Sequence, residues 1–432
     1  MTQTFDLDKT QLSKVQFATI AICFLMNMLD GMDVTVVSYA APSIAKGWAV
    51  TPQVLGIVFS AGLLGMAIGG MFLAPIADYI GRRNIIIISA IIMGISVFLT
   101  SFCQNVEQLM VFRFISGLGI GSMLASTATL AAEYAPTKTK DFWVSVAVSG
   151  YPVGAVLMGL LTAYITPIYG WEMVFKVAGV LTFITLPFVF IFLSESLDYL
   201  LKSQPKNALV QANEILNKMN EEQLTTLPVY SKDEIVKKSV ASILSKKLKN
   251  PTIYLWIGIF MCFATLYFLT SWIPKLATIA GLSLSLAIYA GTVFNVGAFF
   301  GIISQGYLSA RFGLLKTICA YLIGTAFLMI IFGFFQGSDL ILLLFGLIGF
   351  GIQGGFVGMY SVAARLYPTE VRATGVGWAV GLGRVGAIVG PFVGGLLIAS
   401  GLSMTSNFII FALPLIISGV ATLLITFGEN KK

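Results

Sequence analysis

The sequence predicts an all-α membrane protein whose twelve transmembrane helices form two pseudo-symmetric halves of six. Three observations carry this expectation. Of the 432 residues, 57% are hydrophobic and only 10% charged, with a mean hydropathy of +0.91, whereas about a quarter of a water-soluble domain is charged. Apolar stretches of about twenty residues, the length that crosses a bilayer, recur twelve times. Finally, a set of residues returns in the second half of the chain at one constant offset.

In chain order the apolar stretches fall near 16–41, 53–78, 84–104, 108–133, 142–165, 173–193, 252–273, 285–310, 315–335, 340–364, 373–400 and 404–427. The first fifteen residues, MTQTFDLDKTQLSKV, are polar and of mixed charge, unlike a cleavable secretory leader, so a retained N-terminus is expected. Glycines three or four residues apart, such as Gly65 and Gly69, Gly117 and Gly121, Gly297 and Gly301, or Gly390 and Gly394, let transmembrane backbones approach closely. Between the sixth and seventh stretches lies a long polar interruption with alternating Lys and Glu and the amphipathic pattern NALVQANEILNKMN. It reads as a cytoplasmic linker with surface helices, dividing the chain into 1–193, 194–250 and 251–432.

Lys and Arg orient the bundle. Alternate connections place Arg82, Arg83, Lys138, Lys140, Arg311, Lys316, Arg365, Arg372, Lys431, Lys432 and the basic stretch 202–249 on one side, against Lys46 and Lys275 on the other. By the positive-inside rule both termini are cytoplasmic. The net charge of +7 is therefore topological, and the expected partners are lipid and a small solute rather than nucleic acid, with the chain a monomer. Cys23, Cys103, Cys262 and Cys319 sit in apolar stretches without metal-ligand spacing and read as small core residues. Histidine is absent, which removes the commonest metal ligand and neutral-pH proton carrier. No metal or cofactor is expected, and proton chemistry falls to carboxylates. Without HExxH, GxSxG or an acidic metal motif, the chain does not read as an enzyme.

The repeat has an offset of 232 residues: Gly65 maps to Gly297, Gly69 to Gly301, Gly81 to Gly313, Gly117 to Gly349, Gly119 to Gly351, Pro136 to Pro368, Thr137 to Thr369 and Gly154 to Gly386. Two duplicated six-helix halves are a recurrent transporter architecture, with the site between them near the midplane. The buried charges break the symmetry. Asp30 overlays Cys262, Asp33 overlays Thr265, Arg113 overlays Phe345, and Arg384 overlays Pro152.

A charge at the centre of a spanning helix costs about 2.5–3.5 kcal/mol on insertion scales, so such residues face a bundle interior and carry function. Asp30 and Asp33, three apart in the stretch NMLDGMDVTVVSY, are expected on one helical face with Gly31 between them, titrating as a coupled pair that carries a proton. Arg384, in GLGRVGAIVGP, is the expected anchor for a substrate carboxylate; Arg113 is either part of the substrate site or the partner of the aspartates. Gln353, Tyr267, Asn295 and Trp378 are further candidates for the cavity wall, and Tyr39, Trp256, Phe294, Phe299 and Tyr360 are aromatic alternatives. Charges at the cytoplasmic helix ends, Asp78, Arg82, Arg83, Glu133, Lys140, Arg365, Glu370 and Arg372, are expected to pair across the seam between halves as a gate or to act as plain anchors.

Several motifs resemble the major facilitator superfamily, and within it the aromatic acid:proton symporter family. The loop APIADYIGRR (74–83) is similar to the superfamily signature Gly-x-x-x-Asp-x-x-Gly-Arg-Arg, with Ala74 in place of Gly; its echo GYLSARFG (306–313) has Ala310 in place of Asp. RFISGLGIG (113–121) and SES (194–196) resemble superfamily signatures in the fourth and sixth helices. DGMD (30–33), SWIP (271–274) and YPTEVRATGVGWAVGLGRVGAIVGP (367–391) resemble the narrower family. EYAPTKTK carries Lys140 where Arg is usual, and the antiport Gly-Pro signature is replaced by GYPVGAVLMG. The resemblance implies the major facilitator fold and proton-coupled import of a small organic acid across a bacterial inner membrane. Within it, Asp30 and Asp33 would couple protons, Arg113 and Arg384 would serve the ion-pair and substrate network, and Glu133 would stand at the gate. An aromatic carboxylate of the benzoate or hydroxybenzoate type leads, with an unsaturated dicarboxylate or nicotinate-like acid as the alternative. An anion channel and a drug antiporter fit the buried charges less well.

Overall fold

The computed structural model describes residues 12–136, 139–219, 221–228, 240–335, 340–368 and 371–426. Glu370 of the expected gate, and Lys138, Lys431 and Lys432 among the orienting lysines, lie outside the described residues. Twelve helices are long and apolar enough to span a membrane: α1 (Lys14–Gly47), α2 (Pro52–Ile80), α3 (Arg82–Thr100), α4 (Val106–Tyr134), α5 (Phe142–Tyr169), α6 (Trp171–Phe192), α7 (Lys249–Ile279), α8 (Leu284–Phe312), α9 (Leu314–Phe335), α10 (Ile341–Leu366), α11 (Thr374–Ala399) and α12 (Met404–Leu423). Several run past the apolar stretch because local chemistry caps them further out. Ser13 and Gln16 close a reciprocal capping box ahead of α1, and Asn105 caps α4 through the Gln108 amide. Two short helices, Leu197–Ser203 and Ala208–Lys218, follow α6.

The repeat is visible in the packing. In each half the first helix packs on the fifth, the second on the fourth, and the third on the sixth. The glycines that return at the constant offset do the same work twice. A Cβ on Gly65 would strike the carbonyl of Phe114, and one on Gly297 the carbonyl of Gly346. The same holds for Gly69 against Leu118 and Gly301 against Phe350, and for Gly154 against Met28 and Gly386 against Phe260. Backbone oxygen cannot move aside as a side-chain tip can, so these positions have to be glycine for the helices to meet. Gly81 and Gly313 are an equivalent pair of another kind, both left-handed at φ +97° and φ +90°, where the chain turns between helices.

The halves meet through α1 with α7, α2 with α11, and α5 with α8. Their side-chain contacts cluster toward the helix ends remote from the linker. The Ser38 hydroxyl donates to the carbonyls of Thr270 (2.7 Å) and Ser271 (2.8 Å). Ser60 donates to the carbonyl of Ile388 at 2.8 Å, and the Phe59 ring meets Trp272 edge-on at 5.1 Å. Gly395 lies against the Pro52 carbonyl and Gly56. The bundle is thus sealed on one side of the midplane.

Candidate functional site

On the linker side of that seal, a cavity of about 870 Å³ opens between the halves, within the range of small-molecule sites. Its lining comes from the middle of each contributing helix or from the end nearer the linker: α1, α2, α4 and α5 from the first half, and α7, α8, α10 and α11 from the second. Most of the wall is apolar. Among the described residues, Asp30 of α1 and Arg384 of α11 are the charged groups that line it.

Asp30 is 1% exposed, and neither carboxyl oxygen has a hydrogen-bond partner among the described residues. Gly31 sets its position, because a Cβ there would collide with the Tyr151 carbonyl and push α1 off α5. Arg384 lines the cavity together with Asp30, Tyr151, Tyr267 and Tyr360, and its Nη1 atom is buried without a hydrogen-bond partner among the described residues. One carboxyl and one guanidinium, carried by different halves, therefore share a low-dielectric cavity with spare hydrogen-bonding capacity on both.

Asp33 goes elsewhere. Three residues along a helix leave two side chains about 60° apart around its axis, and in a helix buried on most sides that is enough to give them different neighbours. Arg113 Nη1 donates to Asp33 Oδ1 at 2.7 Å and to the Asp33 carbonyl at 3.1 Å. Ser116 donates to Oδ2 at 2.8 Å. The guanidinium also stands over the Phe175 ring, 5.4 Å from its centroid. Asp33 and Arg113, each 3% exposed, form a buried ion pair within the first half, with Arg113 Nε and Nη2 left without a hydrogen-bond partner among the described residues. It borders a second space of about 30 Å³, whose wall includes Tyr267 and Met66, residues that also line the large cavity. The expectation of two aspartates on one face is corrected accordingly: Asp30 borders the cavity, and Asp33 is bonded behind it.

The other candidates divide in the same way. Gln353, Tyr267 and Tyr360 line the cavity. Arg113 does not, being held by Asp33. Asn295 does not, because its amide donates to the Gly291 carbonyl (2.9 Å) and the Tyr39 hydroxyl (3.4 Å) in the sealed seam. Trp378 is 46% exposed and packs on Trp256 at 6.2 Å, although its neighbours Gly377 and Val380 line the cavity. One helical step of about 100° carries its ring to the outer face. Asn27, Tyr151 and Phe356 line the cavity without having been singled out. Asn27 was findable as the polar residue one turn before Asp30; the other two look like any aromatic in an apolar run.

Near the Gly81 turn the charged helix ends assemble, but within the first half. Arg82 pairs with Glu133, which also accepts from the Ser196 hydroxyl. Glu195 Oε1 accepts from the amides of Arg83 (3.0 Å) and Ser196 (2.8 Å), Arg83 Nη2 donates to the Phe190 carbonyl at 2.7 Å, and Tyr134 donates to the Glu195 carbonyl at 2.6 Å. Burial pushes the Glu195 carboxyl above its usual range, against the pull of the Arg83 and Ser196 amides. Glu195 and Ser196 belong to the SES motif, whose place in this cluster the sequence did not disclose. Asp78, Lys140 and Arg365 are exposed, Asp78 taking part through its carbonyl, which accepts from Ser203 at 2.8 Å. Arg372 donates to the Tyr367 carbonyl of its own half at 3.3 Å. The expectation was a gate that pairs across the seam in one state and releases in another, or plain anchoring; in this state, where the cavity separates the halves, the contacts named here lie within one half or join it to the linker, which fits either reading.

Comparison with known proteins agrees with this architecture. The Major Facilitator Superfamily model matches residues 23–309 and 290–432. The chain is 31% identical to the 4-hydroxybenzoate transporter PcaK of Pseudomonas aeruginosa, over 96% of this chain and 93% of that one. It is 30% identical to the gallate transporter of Pseudomonas putida, again over 96% and 93%, and 26% identical to the niacin transporter NiaP of Acinetobacter baylyi, over 99% and 97%. Among solved structures, the D-xylose-proton symporter superposes with a TM-score of 0.76 at 17% identity, covering 96% of this chain and 99% of that one. The inward-open xylose transporter XylE of E. coli gives 0.74 at 18%, covering 96% and 98%; at such identity the likeness is one of fold. With the family model spanning both halves and these relatives matched nearly end to end, the chain belongs to the Major Facilitator Superfamily, a family of transporters and not of enzymes.

Proposed function

We propose that the chain imports a small aromatic carboxylate together with protons, by alternating access between its two halves. The observation that carries this reading is the unpartnered Asp30 carboxyl facing the same cavity as the Arg384 guanidinium. In the empty cavity the two charges compensate each other. A carboxylate arriving at Arg384 adds negative charge beside Asp30 in a low dielectric, and a proton on Asp30 restores the balance, so the two cargoes enter together. The apolar wall around Phe356 and Tyr360, whose rings lie 5.3 Å apart, suits an aromatic ring. The single lining guanidinium among the described residues favours a monocarboxylate over a muconate-type dicarboxylate. Relatives that carry 4-hydroxybenzoate, gallate or niacin support the same class. With the basic connections on the cytoplasmic side, the described state opens inward and the seam of Ser38, Ser60 and Trp272 closes the outer side.

The test is uptake by proteoliposomes offered benzoate, 4-hydroxybenzoate, protocatechuate, vanillate, muconate and nicotinate, with and without an imposed inward proton gradient. Aromatic monocarboxylates should accumulate, and an uncoupler should abolish accumulation. Accumulation that ignores the uncoupler would remove proton coupling.

A further inference from the structure

The SWIP motif (271–274) carries no charge and does not line the large cavity. Its place is the outer seam. Pro274 stands inside α7 and, having no amide hydrogen, leaves the carbonyl one turn earlier, that of Thr270, without its helical donor. A carbonyl freed in this way within a membrane is satisfied by what a neighbouring helix offers, a Ser or Thr hydroxyl being the usual choice. Here the donor comes from the other half: Ser38 of α1, 2% exposed, donates to the Thr270 carbonyl at 2.7 Å and to the adjoining Ser271 carbonyl at 2.8 Å. Trp272 completes the motif, with Nε1 donating to the Pro391 carbonyl of its own half at 2.9 Å and its ring edge-on to Phe59 of the first half. Ser60 makes a bond of the same kind to the Ile388 carbonyl, but the residue four further along α11 is Phe392, which has an amide hydrogen to give. Only the Thr270 carbonyl has lost its helical donor. Thr270 and Ile388 both line the cavity, one turn beyond Tyr267 and Arg384 respectively, so these seam bonds form the roof of the site.

We infer that Ser38 is a positioning residue of the transport cycle: its hydroxyl caps the carbonyl that Pro274 frees, latches the outer side shut, and so sets how often the site opens outward. This rests on the alternating-access reading and deepens it by assigning the outer latch. With the halves parted, water takes over the Thr270 carbonyl. With the halves closed and the hydroxyl removed, the carbonyl loses both donors, so the loss falls on the closed state alone and corresponds to about tenfold more of the outward-open state.

The test follows the rate at which a maleimide labels a reporter cysteine in the full chain in detergent, the four native cysteines being buried. Thr292→Cys reports on the outer seam, since Thr292 of α8 is 4% exposed and packs on Gly159 of α5. Val144→Cys reports on the cavity. Ser38→Ala should speed labelling at the outer reporter about tenfold and leave the cavity reporter no faster, whereas a general loosening would speed both. Ser60→Ala should change the outer rate by less than about threefold, and in a Pro274→Ala background, which returns an amide hydrogen to the Thr270 carbonyl, Ser38→Ala should do the same. An outer rate unchanged by Ser38→Ala, equal acceleration by Ser38→Ala and Ser60→Ala, or acceleration of both reporters would overturn the inference even if Pro274→Ala fails to fold. An outer reporter that reacts in no variant would instead remove alternating access, and this inference with it.

Discussion

Replacing Asp30 and Asp33 by asparagine, one at a time, should give two different failures. Asp33 accepts three side-chain or main-chain contacts' worth of order around it: Arg113 Nη1 at 2.7 Å, Ser116 at 2.8 Å, and the link from the same Nη1 to its carbonyl at 3.1 Å. Asp33→Asn leaves the Arg113 guanidinium buried without its counter-charge, a loss of about 3–5 kcal/mol for a pair this well enclosed. Asp30 makes no hydrogen bond through its carboxyl, so Asp30→Asn breaks no bond and removes only the longer-range compensation of Arg384 across an open cavity, which should cost less, about 1 kcal/mol. Thermal unfolding of the detergent-solubilised protein, followed by size-exclusion chromatography, measures the first effect, and accumulation in proteoliposomes the second. Asp30→Asn should unfold close to wild type yet fail to accumulate substrate against a gradient. Asp33→Asn should unfold well below it, and adding Arg113→Gln should recover much of the loss because no unpaired charge then remains. Equal unfolding temperatures for the two single variants would refute the division of roles, and wild-type accumulation by Asp30→Asn would refute its part in coupling.

Three further outcomes are expected. Arg384→Lys keeps the charge but not the planar fork, and should raise the KM for a carboxylate about tenfold in uptake assays; unchanged kinetics would take Arg384 out of the site. Gly31→Leu should prevent α1 from docking on α5 and abolish monodisperse protein, since its Cβ meets the Tyr151 main chain, whereas Gly47→Ala, with nothing within 4 Å of the added carbon, should behave as wild type. Glu195→Ala should lower stability by about 1–3 kcal/mol by leaving the Arg83 and Ser196 amides without their acceptor, and Glu195→Gln, which keeps an amide oxygen, should recover most of it in the same unfolding measurement.

Much of the architecture was legible because membrane proteins announce it in composition. The twelve helices follow from run length, and the duplicated packing from glycines at one offset, since a Cβ at Gly65 or Gly297 would meet main chain in both halves. The asymmetric charges were legible too, as a carboxylate or guanidinium amid apolar residues has few reasons to be there. Their partners were not. Asp30 and Asp33 are indistinguishable in sequence, and so are a lining Tyr151 and a seam Tyr39, because the neighbour that gives each its role lies on another helix. The SES motif was noticed without its connection to Arg83, more than a hundred residues earlier in the chain.

The sequence by itself determined that the chain spans a bilayer twelve times, that its halves are related, and that it keeps two acids and two arginines out of water. Tertiary structure alone decided which acid is bonded and which borders a cavity, and on which side the bundle is sealed. The reason is geometric. Hydrophobicity and glycine spacing act within a helix or along the whole membrane, while the bonding of a buried polar atom depends on a few tenths of an ångström between helices far apart in the chain.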